Sequence, residues 1–123
     1  MIANSQVKTI VDKENLVLLT EVKSVQQLQI DTIEFIVADN IFTKIFFNDK
    51  NSIQVRRSLK EWENILPQKA FVRVNRGAIV NLHHVKLIEK SLNQTMIIYI
   101  RHYDKPVIMN RSYLTKLKGK LII

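Results

Sequence analysis

Residues 71–81 read FVRVNRGAIVN, and they hold the side chains best suited to chemistry in this chain. Arg73, Asn75 and Arg76 stand close together there. Arginine matches the O6 and N7 edge of guanine with two hydrogen bonds, and asparagine matches the N6 and N7 edge of adenine. Gly77 follows at once and is one of only two glycines in 123 residues. A lone glycine within a strand pattern marks a bulge, a tight bend or a close backbone approach. Phe71, Val72 and Val74 on one side, with Ala78, Ile79 and Val80 on the other, suit strands. The stretch therefore predicts two half-strands that hold up a short polar bend with base-reading side chains. The plain alternative is a surface bend with solvated arginines.

Other chemistry finds little support. A phosphate-cradling loop needs clustered glycines, and the two present are far apart. The chain has no cysteine, which excludes disulfides, thiol catalysis and cysteine-bound zinc. His83, His84 and His102 are imidazoles with metal-binding capacity. Adjacent residues of an extended chain point in opposite directions, however, and no carboxylate pattern joins the three. No metal or cofactor is expected. Serine, threonine, histidine and acids occur, but no order or spacing singles out a catalytic set, so no enzyme is expected. Phe35, Phe42, Phe46, Phe47, Tyr99 and Tyr103 lie mostly in apolar runs and are read as core rather than as stacking platforms, Phe42 least clearly.

The charge points to a polyanion. The net charge is +8. Residues 69–120 hold 11 basic and 2 acidic residues, a net +9, which leaves −1 for the remainder. A nucleic acid or an anionic surface is the natural partner of such a half, with simple solubility as the bland alternative. No apolar run is long enough to span a membrane and no signal-peptide pattern opens the chain, so a cytoplasmic protein is expected.

The elements that position these residues are mostly strands. At 123 residues one domain is expected. Residues 1–14 read as a tail or linker remnant with a first strand over 7–11, and residues 15–120 as the domain. The apolar run 16–19 predicts a strand buried on both faces. Strands follow over 25–30 and 33–37, then a turn at Ala38, Asp39 and Asn40, then strands over 41–47 and 52–56 about a hairpin turn. Ser58, with Glu61 three residues on, opens a helix whose Leu59, Trp62 and Leu66 share a face, and Pro67 stops it. After the bend come strands over 85–88, 94–101 and 107–109, then a short basic helix over 111–120. Many short strands with one or two helices make a mainly β fold.

Several motifs in this order resemble the LytTR family of bacterial DNA-binding domains. Phe71, Arg73, then Asn75, Arg76 and Gly77, then Ile79, Val80 and Asn81 stand where that family has an aromatic, an arginine, a His-Arg-Ser bend and a Val-Asn ending. Asp31, Ile33 and Phe35 match its strand before an alanine-containing turn, and Pro106, Val107, Asn110, Arg111, Ser112 and Tyr113 match its closing motif. The match covers about residues 16–118. It departs at Asn75 for His, Gly77 for Ser and Asn110 for Ser.

The resemblance implies an elongated fold of about ten short strands in small sheets, with loops rather than a recognition helix entering adjacent major grooves of double-stranded DNA. It places base or groove contacts at Asn40, Asn75, Arg76 and Arg111; Asn40 and Arg111 are marked by the resemblance alone. Arg73, Lys44, Lys86 and Lys116 are the expected phosphate contacts. The implied role is sequence-specific transcription regulation, either as a stand-alone regulator or as the output domain of a response regulator whose receiver lies in a longer parent protein. Tandem half-sites would suit a homodimer on DNA. The rival readings are a single-strand binder that stacks bases on Phe42 or Tyr103, and a protein- or membrane-docking module built on the basic half.

Overall fold

The computed structural model describes residues 6–9, 15–20 and 23–119. Among these residues eleven strands form three antiparallel sheets, joined by two short α-helices. Strands β1 (Gln6–Thr9), β2 (Leu16–Thr20) and β3 (Val25–Gln29) make the first, in the order β1-β2-β3. The second contains β4 (Ile33–Asp39), β5 (Phe42–Phe47) and β6 (Ser52–Val55). Helix α1 (Leu59–Ile65) then leads to β7 (Phe71–Asn75) and β8 (Ala78–Asn81), which complete a five-stranded sheet in the order β6-β5-β4-β8-β7. Strands β9 (Val85–Lys90), β10 (Met96–Ile100) and β11 (Val107–Met109) form the third sheet, and α2 (Leu114–Lys118) ends the fold. The fold is mainly β in small sheets, with one strand more than the ten or so expected.

The five-stranded sheet is covered on both faces, and side-chain alternation along its strands supplies two cores. Ile33, Ile36, Ile45 and Ile79 face one core, with Trp62 of α1 and Val17, Leu19 and Leu28 of the first sheet. Phe35, Val72, Val74 and Val80 face the other, with Ile98, Met109 and Leu117 of the C-terminal part. Strands β4 and β8 are therefore buried on both sides, β4 from Ile33 to Ile36 with Glu34 among them and β8 over all four residues. The run 16–19 behaves otherwise: Val17 and Leu19 are buried, while Leu16 and Leu18 are half-exposed. Strand β2 lies in an outer sheet with only one face against the core, so its outward leucines stay partly wet.

Helix α1 begins as its sequence requires. The Ser58 hydroxyl accepts from the Glu61 N–H, and Glu61 Oε1 accepts from the Ser58 N–H at 3.0 Å, closing a capping box. That backbone hydrogen bond, with Arg57 alongside, holds the Glu61 carboxyl below its ordinary value. Trp62 is fully buried, and its indole N–H donates to Thr43 Oγ1 at 2.8 Å, so the helix is fixed to β5 by its largest side chain.

Candidate nucleic-acid interface

One end of the five-stranded sheet gathers the bends that the sequence marked. Asn40 and Ile41 join β4 to β5, whose last and first residues, Asp39 and Phe42, are paired. Asn40 has φ 58°, a left-handed backbone that asparagine tolerates better than most residues. Arg76 and Gly77 join β7 to β8 between the paired Asn75 and Ala78. Strands β4 and β8 are neighbours, and the Ala38 N–H donates to the Gly77 carbonyl at 2.9 Å, so the two bends lie side by side. The Asn110 N–H donates to the Val74 carbonyl at 3.0 Å, which brings Arg111 to the same end.

The structure adds a residue that the sequence reading missed. Val55 ends β6 opposite Thr43, so Arg56 follows at this same end and is exposed. The signal was present as an arginine pair between strand and helix, but only the sheet order shows which end it occupies.

The side chains divide into two groups. Arg56, Arg76, Arg111 and Asn40 are exposed, and none makes a side-chain hydrogen bond or ion pair among the described residues. Ile41 projects beside them, 59% exposed. The other group is tied down. Asn75 Oδ1 accepts from the Gly77 N–H at 2.7 Å, and its Nδ2 donates to the Ile108 carbonyl at 2.8 Å. Its amide therefore shapes the bend and docks β11 against it, rather than pointing outward as a base-reading group.

Arg73, expected to contact phosphate, is likewise committed within the protein. Its Nη1 donates to Glu63 Oε1 at 2.7 Å, its Nε to the Asn75 carbonyl at 3.1 Å and its Nη2 to the Arg76 carbonyl. The guanidinium braces the bend from beneath and has little left to offer a phosphate. Lys116 also approaches Glu63, at 3.5 Å, and remains mostly exposed. Lys44 is exposed on β5, with Nζ 5.3 Å from the centre of the Phe46 ring. Lys86 is exposed, but it lies four residues along β9 from Lys90, about 13 Å of strand. It is Lys90 that pairs with Met96, beside Met109 and so near Arg111.

Gly77 is not needed for an unusual backbone. Its φ is not positive, and an added Cβ would meet only Asn75 Oδ1, at an ordinary 3.6 Å. The bend is made by the Asn75 side chain and not by glycine freedom.

The aromatic residues are mostly core. Phe35 and Phe46 stack at 4.4 Å, Tyr103 packs edge-on against both, and its hydroxyl donates to the Phe47 carbonyl at 2.7 Å. Burial, with the Glu34 and Asp49 carboxylates adding to it, pushes the Tyr103 hydroxyl up to about 12. Tyr103 is thus no stacking platform, and Phe42 is half-buried. The histidines depart from expectation. His83 and His84 lie in a 3-10 turn (Leu82–His84) rather than on extended chain, and folding does join two imidazoles through a carboxylate: Glu34 lies against His84 and His102.

No helix among the described residues is long and apolar enough to cross a membrane. Residues 23–122 match the family pattern described as the LytTr DNA-binding domain. The chain belongs to the LytTR family. The sensory transduction protein LytR of Staphylococcus epidermidis is 32% identical over 72 residues, which is 58% of this chain and 28% of that protein. The chain thus covers little more than a quarter of that relative's length. The LytTr DNA-binding domain of a methyl-accepting/DNA response regulator from Bacillus cereus shares the LytTR fold at TM-score 0.73 and 22% identity, over 86% of this chain and 95% of that one.

Proposed function

We propose that this LytTR domain, residues 15–120, binds double-stranded DNA in a sequence-specific way and acts in transcription regulation. The observation that carries the proposal is the convergence of Asn40, Arg56, Arg76 and Arg111 at one end of the five-stranded sheet, exposed and with no side-chain partner among the described residues. Bends presented by a rigid sheet can enter a major groove, where arginine reads guanine bidentately. Arg76 and Arg111 are the base-reading residues. Asn40 contributes an amide edge, and Ile41 an apolar surface of the kind that meets a thymine methyl. Arg56 and Lys44 neutralise phosphates from the side of the sheet and position the domain without reading sequence. Asn75 and Arg73 hold the bend in place for Arg76.

In a parent protein the domain would serve as the output of a response regulator, with tandem half-sites occupied by a pair of copies in the cytoplasm. The test is selection from a random duplex pool at physiological salt, with a random single-stranded pool alongside. Enrichment of a short duplex motif is expected, repeated about one helical turn apart if two copies bind. Retention that is salt-sensitive but enriches no motif would reduce the arginines to a basic patch, and preference for the single-stranded pool would favour a stacking binder.

A further inference from the structure

At the other end of β4, away from the bends, the fold builds a polar cluster that DNA binding does not use. Glu34 is fully buried. It is the extra residue of a bulge, since Ile33 pairs with Phe47 while Phe35 pairs with Phe46, and bulges commonly re-aim a side chain. Asn81 fixes the neighbouring 3-10 turn: its Nδ2 donates to the Ile33 carbonyl at 2.8 Å and its Oδ1 accepts from the His83 N–H at 3.0 Å. The turn between β10 and β11 is held in its turn by the Arg101 N–H, which donates to the His84 carbonyl at 3.0 Å. Three separate elements thus deliver one residue each to a single point.

His84 Nδ1 and His102 Nδ1 both stand 2.7 Å from the same oxygen, Glu34 Oε2. All three atoms lie within 4.8 Å of one another. His84 Nε2 is 2.6 Å from the Asp31 carbonyl oxygen, which can only accept. That nitrogen therefore carries a hydrogen, and Nδ1 is the ring atom that faces the Glu34 carboxylate. Two ring nitrogens and a carboxylate oxygen thus converge on one partly buried point, and the Glu34 Oε1 also accepts from the His102 backbone N–H at 3.3 Å.

We propose that Glu34, His84 and His102 form a binding site for a divalent transition-metal ion of the zinc class. Two imidazoles and a carboxylate are ligands that zinc takes readily, with a fourth position left to water. The hydrogen bond from His84 Nε2 to a backbone carbonyl is the outer support that metal-bound imidazoles usually have. A tetrahedral ion with bonds of about 2.1 Å needs its ligand atoms about 3.4 Å apart. The cluster has to open only slightly, and His102, with its side chain 46% exposed, can supply the movement and an entry path. A bound ion would tie β4, the 3-10 turn and the β10–β11 turn together.

The test is titration of zinc chloride into tag-free, chelator-dialysed protein, in competition with a chromogenic chelator, alongside thermal melting. Binding of one ion per chain and a rise in Tm are expected. His102→Gln should weaken binding by at least about tenfold, the lower end of what even an outer-shell change costs a metal site, and should abolish the zinc-dependent rise in Tm. His83→Gln, which alters an imidazole outside the cluster, should change neither readout. Glu34→Gln should also lose the site; if it fails to fold, His102→Gln decides alone, because its side chain is largely outside the core. Equal affinity in wild type and His102→Gln, or no stoichiometric zinc binding by wild type, would overturn the proposal.

Discussion

The two bends at the exposed end of the sheet are built in opposite ways. The Asn40 and Ile41 turn is a two-residue connection whose tip side chains make no hydrogen bonds among the described residues, and the Asp39 carboxylate before it accepts from Gln54 Nε2 of β6 at 2.7 Å without bonding to the turn. The Arg76 and Gly77 bend has the same length but is braced by the Asn75 amide and by the Arg73 guanidinium anchored on Glu63. The difference suggests a division of labour. A braced bend presents its arginine at a fixed angle, which a bidentate contact requires. An unbraced turn can adapt its side chains to the groove. The comparison also shows that arginines three positions apart can have unlike roles: Arg73 supports the backbone that presents Arg76.

Breaking the brace should have the largest effect. Arg73→Ala removes a charged hydrogen bond to Glu63 and two to carbonyls, and is expected to cost about 2 kcal/mol of folding stability, seen in denaturant unfolding. Binding to the selected duplex should weaken as well, while the slope of log affinity against log salt stays unchanged, because no phosphate contact is lost. A slope shallower by about one unit would return Arg73 to the phosphate contacts. Next comes Arg76→Ala, expected to cost about 1–3 kcal/mol on the selected duplex with no change in Tm. Equal losses on random DNA would make it a phosphate contact.

Gly77→Ala sharpens the claim that the Asn75 side chain shapes the bend. With ordinary space for a Cβ and no positive φ, it should raise stability by about 0.4–1 kcal/mol. A loss of that size would mean that the bend depends on glycine after all. At the Asn40 turn, Asn40→Gly keeps the left-handed backbone and removes the amide, so folding stability should hold within about 0.5 kcal/mol while cognate affinity falls. Unchanged affinity would exclude Asn40 from the contact. The smallest difference is expected between two lysines of β9: Lys86→Ala should alter the salt slope less than Lys90→Ala, and the reverse would move the DNA path along that strand.

Local features were legible in the sequence where local chemistry decides them. The capping box at Ser58 and Glu61, the stop at Pro67 and the bend after Asn75 follow from neighbours a few residues apart. The double burial of β4 was not legible, because Glu34 interrupts Ile33 to Val37 while Leu16 to Leu19 is an unbroken apolar run, and only sheet order decides which strand is central. The same limit applied to the site. Arg76 was marked from its own neighbourhood, but the pairing of Arg73 with Glu63 joins a strand to a helix, and the place of Arg56 depends on β6 lying beside β5. Glu34 and His102 are 68 residues apart, so no local pattern could join them.

The central claim is that Arg76, on its braced bend, reads a base. The direct measurement is to sequence the duplexes retained from one random pool by wild type and by Arg76→Ala, side by side at physiological salt. The account predicts a short motif for wild type, and for the variant the same motif with preference relaxed at one position. Identical motifs from the two proteins, or no motif from either, would contradict it.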